Sequence, residues 1–274
     1  MHFIIPVSQV TTKTLTENQL KFWRGHSYLH IPGLFKERAH EMSSWIDEIS
    51  KWGSNMEKWM CYYEMDNPDQ LSRVENFIPY HKGMEEVFTG PTIIDLITEL
   101  MGEEAVLYKE RINFKSTGGG PHAAHQDGVA YEQGANTAFD PSIKPYLSIL
   151  VSVDEATEEN GCLQVVPNWP LDSLEIIPME APYPDKPYYM KMEKSVEDSL
   201  TWKKIPTQPG DALIFTERLP HRSEPNLSDK TRRIIYGVYN PLSDGDKREQ
   251  YYADKRKNPN DARYMLGNPH APSK

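Results

Sequence analysis

The chain is poor in cysteine, in basic charge and in long apolar runs, and each shortage removes a class of function. Two cysteines in 274 residues, Cys61 and Cys162, cannot build a disulfide framework, and neither sits in a C-x-x-C or zinc-ribbon spacing. A reducing compartment is expected. Lys and Arg number 30 against 40 Asp and Glu, a net charge of −10 with a pI near 5.4, so neither nucleic acid nor an anionic membrane is an expected partner. No apolar stretch reaches the roughly 18 residues of a membrane-spanning helix. The start, Met1-His2-Phe3-Ile4-Ile5-Pro6-Val7, lacks the basic region and apolar length of a signal peptide. The chain reads as cytoplasmic. Without repeats or low-complexity segments, it reads as a single domain over 1–274, long enough to bury a full core. Oligomeric state is not legible.

What is present falls into two halves. Leu15-Thr16-Glu17-Asn18-Gln19-Leu20 carries a capping Thr, a Gln three residues on and a flanking leucine pair, so a helix starts here and ends near Gly25. A short strand is expected over 27–33. A helix over 35–52 follows, with Ala39, Met42, Trp45, Ile46, Ile49 and Trp52 on one face. Residues 53–70 stay open between strand and loop. A helix over 91–101 has Pro91 at its first position and Gly102 past its end, with Ile93, Ile94, Ile97, Leu100 and Met101 inward. From Ala105 the period changes to alternation, predicting strands over 105–115, 125–130, 146–153, 163–166, 212–215 and 231–240. In 146–153, Leu147, Ile149, Val151 and Val153 share one face, and Ser148 and Ser152 the other. The segment 170–200, rich in Pro and Tyr, reads as an excursion of the lid or wall kind. The tail from Asp244 reads as polar, helical or frayed. Helices over about 1–102 followed by strands over about 105–240 predict an α+β fold, mainly β, whose strands close as a barrel or double sheet.

The stretch with most chemistry is Gly118-Gly119-Gly120-Pro121-His122-Ala123-Ala124-His125-Gln126-Asp127-Gly128. In an extended strand, residues i and i+2 share a face, so His125 and Asp127 would converge. His221, in Leu219-Pro220-His221-Arg222-Ser223, is the distal candidate that a sheet could return to them. Two His and one carboxylate with open positions is the facial triad of non-haem Fe(II) oxygenases. One H-x-D is about an even bet by composition in a chain with nine histidines, so the case rests on its surroundings.

Those surroundings run in order: Arg111-Ile112-Asn113-Phe114-Lys115, the glycine run, His125-x-Asp127, Leu147-Ser148-Ile149, Asn160-Gly161-Cys162-Leu163-Gln164-Val165-Val166-Pro167, Pro209-Gly210-Asp211, then His221-x-Ser223-x-x-Asn226 and Arg232. The series resembles the phytanoyl-CoA dioxygenase family over roughly residues 25 to 240. The resemblance implies a double-stranded β-helix (jelly roll, cupin-like) with flanking N-terminal helices. It implies Fe(II), 2-oxoglutarate as co-substrate and O2, with C–H hydroxylation and release of succinate and CO2. It also implies that His125, Asp127 and His221 bind iron. Arg232, eleven positions after His221, would bind the far carboxylate of 2-oxoglutarate with Ser223 beside it, and Asn113 would steady the chelating end. Related halogenases lack the carboxylate that Asp127 supplies, which favours hydroxylation.

Alternation supports Arg232 independently. With Ile234, Tyr236 and Val238 it would point into a barrel, where a guanidinium needs an anion. A register slip would turn Arg233 inward instead, and Asn113 could equally make a strand-edge hydrogen bond. The substrate reads as a small polar molecule. Lys109, Arg111, Lys115 and His122 could hold an anionic group, and Tyr131, Gln133 and Trp169 could wall the pocket. The run Lys109-Glu110-Arg111-Ile112-Asn113-Phe114-Lys115 is similar to the 2-aminoethylphosphonate hydroxylase branch. The R-I-N-aromatic-K and H-x-S-x-x-N runs also resemble ectoine hydroxylases. A CoA thioester is disfavoured, since no basic cluster awaits its adenosine phosphates. Two rivals are a cupin-like metal-binding protein without oxygenase chemistry and a zinc hydrolase on the same scaffold, because such ligands also bind zinc. Arg232 and Ser223 discriminate, since a hydrolase needs no dicarboxylate clamp.

Overall fold

The computed structural model describes residues 14–64, 67–131, 139–140, 142, 144–181, 190–259, 261, 264 and 271–272. The elements run α1 (Glu17–His26), β1 (Tyr28–Ile31), α2 (Ala39–Ile49), β2 (Met60–Tyr63), β3 (Leu71–Glu75), α3 (Lys82–Phe88), α4 (Pro91–Met101), β4 (Ala105–Lys115), β5 (His122–His125) and α5 (Gly128–Tyr131). They continue with β6 (Leu147–Ser152), β7 (Leu163–Val165), β8 (Met179–Glu180), β9 (Lys191–Met192), α6 (Lys194–Ser199), β10 (Lys203–Ile205), β11 (Ala212–Thr216), β12 (His221–Ser223), β13 (Arg232–Pro241), α7 (Arg248–Lys257) and β14 (Ala271–Pro272).

The helix signals hold where they are chemical. Thr16 accepts from the Gln19 backbone N–H and the Gln19 side chain accepts from the Thr16 N–H, closing the capping box of α1. Pro91 opens α4, and Gly102, left-handed at φ +71, closes it. The inward face of α4 includes Leu96 rather than Ile94, which is only half-buried. The helix expected over 35–52 is instead a 3-10 turn at Lys36–Arg38 leading into α2. The open stretch 53–70 contains β2, and two elements without local signals, β3 and α3, follow it.

Fourteen strands make three antiparallel sheets among the described residues. The large one runs β1-β11-β6-β13-β4-β3-β2-β14, the small one β10-β7-β12-β5, and β8-β9 is a two-stranded ribbon within the 170–200 excursion. Two cores follow from strand alternation. On one face of the large sheet Ile112, Ile149, Val151, Ile214 and Ile235 pack with Met42 and Ile46 of α2, Met84 of α3 and Ile97 of α4. On the other, Leu150, Leu213, Phe215, Ile234 and Tyr236 pack against Ala124, Leu163, Val165 and Ile205 of the small sheet. Because both faces are covered, β6 is buried at every position. Ser152 on the inner face bonds the Thr207 hydroxyl at 2.6 Å.

One expectation is corrected at the centre. No strand runs over 125–130: β5 ends at His125 and the chain turns into α5. Gln126 causes this. Fully buried, its amide donates to the carbonyls of Glu175 and Arg218 and accepts from the Ile177 N–H, so its bonding capacity is spent on a turn.

Candidate active site

His125 and His221 sit opposite one another in the small sheet, where β12 pairs with β5. Each ring is fixed by its own backbone. His125 Nδ1 meets the Ala123 carbonyl at 2.6 Å and His221 Nδ1 meets the Leu219 carbonyl at 2.9 Å. With Nδ1–H donated to a carbonyl, Nε2 keeps its lone pair, which is the tautomer a metal requires. Both Nε2 atoms face Asp127, at 3.5 Å from His125 to Oδ1 and 3.9 Å from His221 to Oδ2.

All three side chains are buried, and one ligand atom from each lies within 4.8 Å of the others. Asp127 Oδ2 is buried without a hydrogen-bond partner, an arrangement that is costly unless a cation completes it. Burial alone would raise the Asp127 pKa, but the facing His125 and His221 rings and the Arg111 charge hold it well below the ordinary range. Burial and His125 push His221 down to about 4, so its ring is neutral near pH 7. The donor set therefore fits a divalent metal.

The inner face of the large sheet supplies the rest. Along β4, Lys109, Arg111, Asn113 and Lys115 share a face. Across it, in register, stand Val238, Tyr236, Ile234 and Arg232 of β13. At one end Arg232 and Lys115 are 2% and 3% exposed, and neither forms an ion pair among the described residues. Arg232 donates to the Gly161 carbonyl and its Nε has no partner. Lys115 donates to Ser223 Oγ at 2.8 Å and to the Glu224 carbonyl at 2.5 Å. Burial draws the Arg232 guanidinium below its ordinary value. Burial and the Arg232 charge draw Lys115 well below its own.

Arg233 points the other way, to Asp154 and Asp47. The inward arginine is thus Arg232. Asn113 lies mid-sheet between β13 and β3, not at an edge, and its Oδ1 is buried and unpartnered.

A cavity beside the triad is lined by His122, His125, Asp127, Lys109, Arg111 and Tyr236, joined by Arg73 and Glu75 of β3 and Tyr251 and Lys255 of α7. Burial and the neighbouring Arg111 pull the Lys109 ammonium down to about 7. Of the candidate substrate residues, Lys109, Arg111 and His122 reach this cavity, and Trp169 packs in the core between the sheets instead. Gln133 and the Tyr131 side chain lie outside the described residues. Sequence reasoning missed Arg73, Glu75 and Lys255. For the first two the alternation Arg73-Val74-Glu75 was the only local signal.

The Asn160-Gly161 turn gives one test of this architecture. Gly161 has φ +74, and a Cβ on it would stand 2.1 Å from the Glu224 carbonyl oxygen. Gly161→Ala is therefore expected to lower stability by at least about 1–3 kcal/mol, read as a fall in Tm, and to loosen the carbonyl that Arg232 uses.

The profile described as phytanoyl-CoA dioxygenase matches residues 23–234. The chain is 39% identical over 247 residues to a methylphosphonate hydroxylase of Gimesia maris, covering 89% of this chain and 88% of that protein. It is 38% identical over 245 residues to a 2-aminoethylphosphonate dioxygenase of an uncultured bacterium, covering 88% and 87%. Among solved structures, EctD from S. alaskensis with 2-oxoglutarate and 5-hydroxyectoine has the same fold, with a TM-score of 0.64 at 15% identity over 84% of this chain and 77% of that one. No described helix is long and apolar enough to cross a membrane. With a profile over most of its length and two relatives of near-equal extent, the chain belongs to the phytanoyl-CoA dioxygenase family and is a dioxygenase dependent on iron, 2-oxoglutarate and O2.

Proposed function

We propose that this enzyme hydroxylates an unactivated C–H of a small organophosphonate, on a single domain over 1–274 whose two main sheets are the halves of a double-stranded β-helix. The observation that carries the reading is the buried His125, Asp127, His221 triad opening on a cavity walled by cations. The names of the two similar relatives supply the chemical class, and methylphosphonate and 2-aminoethylphosphonate are the first compounds to try. Buried free thiols at Cys61 and Cys162 suit a reducing cytoplasm.

His125, Asp127 and His221 hold Fe(II) through two neutral imidazoles and one carboxylate. Arg232, Ser223 and, from its hydrogen bond to Ser223, Lys115 would hold the far carboxylate of 2-oxoglutarate, and Asn113 would steady the chelating end. Bound iron and co-substrate supply the oxidising chemistry, with succinate and CO2 released. The protein's part is to fix both anions and exclude water. A zinc hydrolase would have no use for two buried cations, Arg232 and Lys115, placed away from the metal.

The test is anaerobic reconstitution with Fe(II), then oxygen-dependent succinate release with each phosphonate and with ectoine as a control. Succinate rising in step with phosphonate supports the reading, and release stimulated by ectoine alone defeats it. In parallel, Fe(II) plus 2-oxoglutarate without oxygen is expected to give a weak visible charge-transfer band that His221→Ala loses. A band that survives His221→Ala would place the metal elsewhere.

A further inference from the structure

Two residues interleaved with the site residues turn their side chains to the same distant segment. Gln126 stands between His125 and Asp127, and Arg222 between His221 and Ser223. Both reach the 170–200 excursion, which is described over 170–181 and 190–200. Gln126 accepts from the Ile177 N–H at 2.8 Å and donates to the Glu175 carbonyl at 3.0 Å and the Arg218 carbonyl at 2.7 Å. Arg222 donates to the Glu197 carboxylate of α6 at 2.6 Å and to the Gln164 side chain of β7 at 3.0 Å.

These bonds leave little slack. Gln126 is 0% exposed and its bonds to Arg218 and Ile177 are buried, where losing a partner costs more than at the surface. Neighbouring Cα atoms are fixed about 3.8 Å apart, so Gln126 cannot shift without carrying His125 or Asp127, nor Arg222 without His221. The Arg218 bond brings the third ligand to the same joint, because the next residue, Leu219, supplies the carbonyl that orients His221. On the excursion side the two anchor points are themselves joined. The N–H of Glu193, which caps α6, donates to the carbonyl of Pro178, one residue past Ile177. Met192 of β9 packs with Ala124 of β5 in the core between the sheets.

Resting on the reading of His125, Asp127 and His221 as the metal site, we propose that Gln126 and Arg222 are positioning residues that couple the 170–200 excursion to the metal. A bound metal fixes the three ligands relative to one another, and the interleaved side chains pass that constraint to Glu175, Ile177 and Glu197. The path is continuous, a covalent neighbour and then a hydrogen bond at each step, as a physical coupling requires. Such coupling is reciprocal: the factor by which the metal favours the ordered excursion is the factor by which the ordered excursion favours the metal. A substitution on the excursion itself should therefore change iron binding.

The experiment uses the full chain with Gln126→Met, Arg222→Met, the conservative Arg222→Lys, and Glu197→Gln on the excursion. Two readouts are taken: Fe(II) affinity under anaerobic conditions, and amide hydrogen exchange with and without Fe(II). In the wild type, Fe(II) is expected to slow exchange over 174–181 and 190–200 by about fivefold or more, the low end of ordinary coupling between sites. Gln126→Met is expected to weaken Fe(II) binding by about ten- to a hundredfold and to lose the slowing over 174–181. Glu197→Gln, which meets the ligand strand through Arg222, is expected to weaken Fe(II) binding by about two- to fivefold. Arg222→Met should do at least as much, with Arg222→Lys between it and the wild type. Amides of β6 and β13 should keep their wild-type exchange in every variant, and acceleration spread evenly over them would reduce both residues to general stability and overturn the proposal. If Gln126→Met fails to fold, Glu197→Gln and Arg222→Lys carry the test. Fe(II) that His221→Ala loses, but that leaves exchange over 174–200 unchanged in the wild type, overturns the coupling and leaves the metal site standing. Fe(II) retained by His221→Ala overturns the metal site and the coupling with it.

Discussion

Asp127→Ala is expected to abolish phosphonate-dependent succinate release and to lower Fe(II) affinity by more than a hundredfold. Asp127 is the only anionic member of the triad, and its carboxylate reaches toward both imidazoles. Removing partners that merely orient a metal ligand costs about ten- to a hundredfold, so losing the ligand itself should exceed that. Asp127→Glu keeps the charge but moves the carboxylate one methylene away from the position that faces both imidazoles. It should recover little turnover even if some iron returns. Metal titration of the anaerobic protein, with circular dichroism to confirm folding, separates lost metal from lost structure. Wild-type iron affinity in Asp127→Ala would show that the triad is not the metal site.

The convergence of His125, Asp127 and His221 was legible, although one step toward it was not sound. Strand alternation was expected to align His125 with Asp127, whereas β5 stops at His125 and the turn pinned by Gln126 swings Asp127 back. The residue types and their order carried the information, not the period. Arg232 was legible for a better reason. Its strand alternates cleanly, and the alternative register fails because Arg233 is tied to Asp154 and to Asp47 of α2.

The cationic wall was half hidden. Lys109 and Arg111 lie in a recognisable strand, but Arg73 joins them only through the pairing of β3 with β4, and no local pattern reports a partner strand. Lys255 was hidden by its helix. Only Tyr252 and Lys255 of α7 are buried, so it lacks the apolar stripe that marks a packed helix and reads as a polar tail. What docks it is the packing of Tyr252 on Met60 and Tyr62 together with charge pairs, Arg248 to Glu110 and Lys255 to Glu75, formed across well over a hundred residues of sequence.

Arg232→Ala is expected to raise the apparent constant for 2-oxoglutarate by two to three orders of magnitude while leaving iron affinity close to wild type. Breaking a buried charge pair by removing one partner costs about 3–5 kcal/mol, and each 1.4 kcal/mol is tenfold in binding. The 2% exposure of Arg232 places the interaction in that buried class. Arg232→Lys should recover part of the loss, since an ammonium supplies charge without the fork. Lys115→Met tests the second cation: its Nζ lies 2.8 Å from Ser223 Oγ, so its loss should weaken 2-oxoglutarate too, by about tenfold. The control is Arg233→Ala. That side chain faces α2 and is partly exposed, so its loss should cost about 1 kcal/mol of stability and leave 2-oxoglutarate binding unchanged. A silent Arg232→Ala beside a large effect in Arg233→Ala would invert the inner face of β13, and the inward placement of Ile234 and Tyr236 would fall with it.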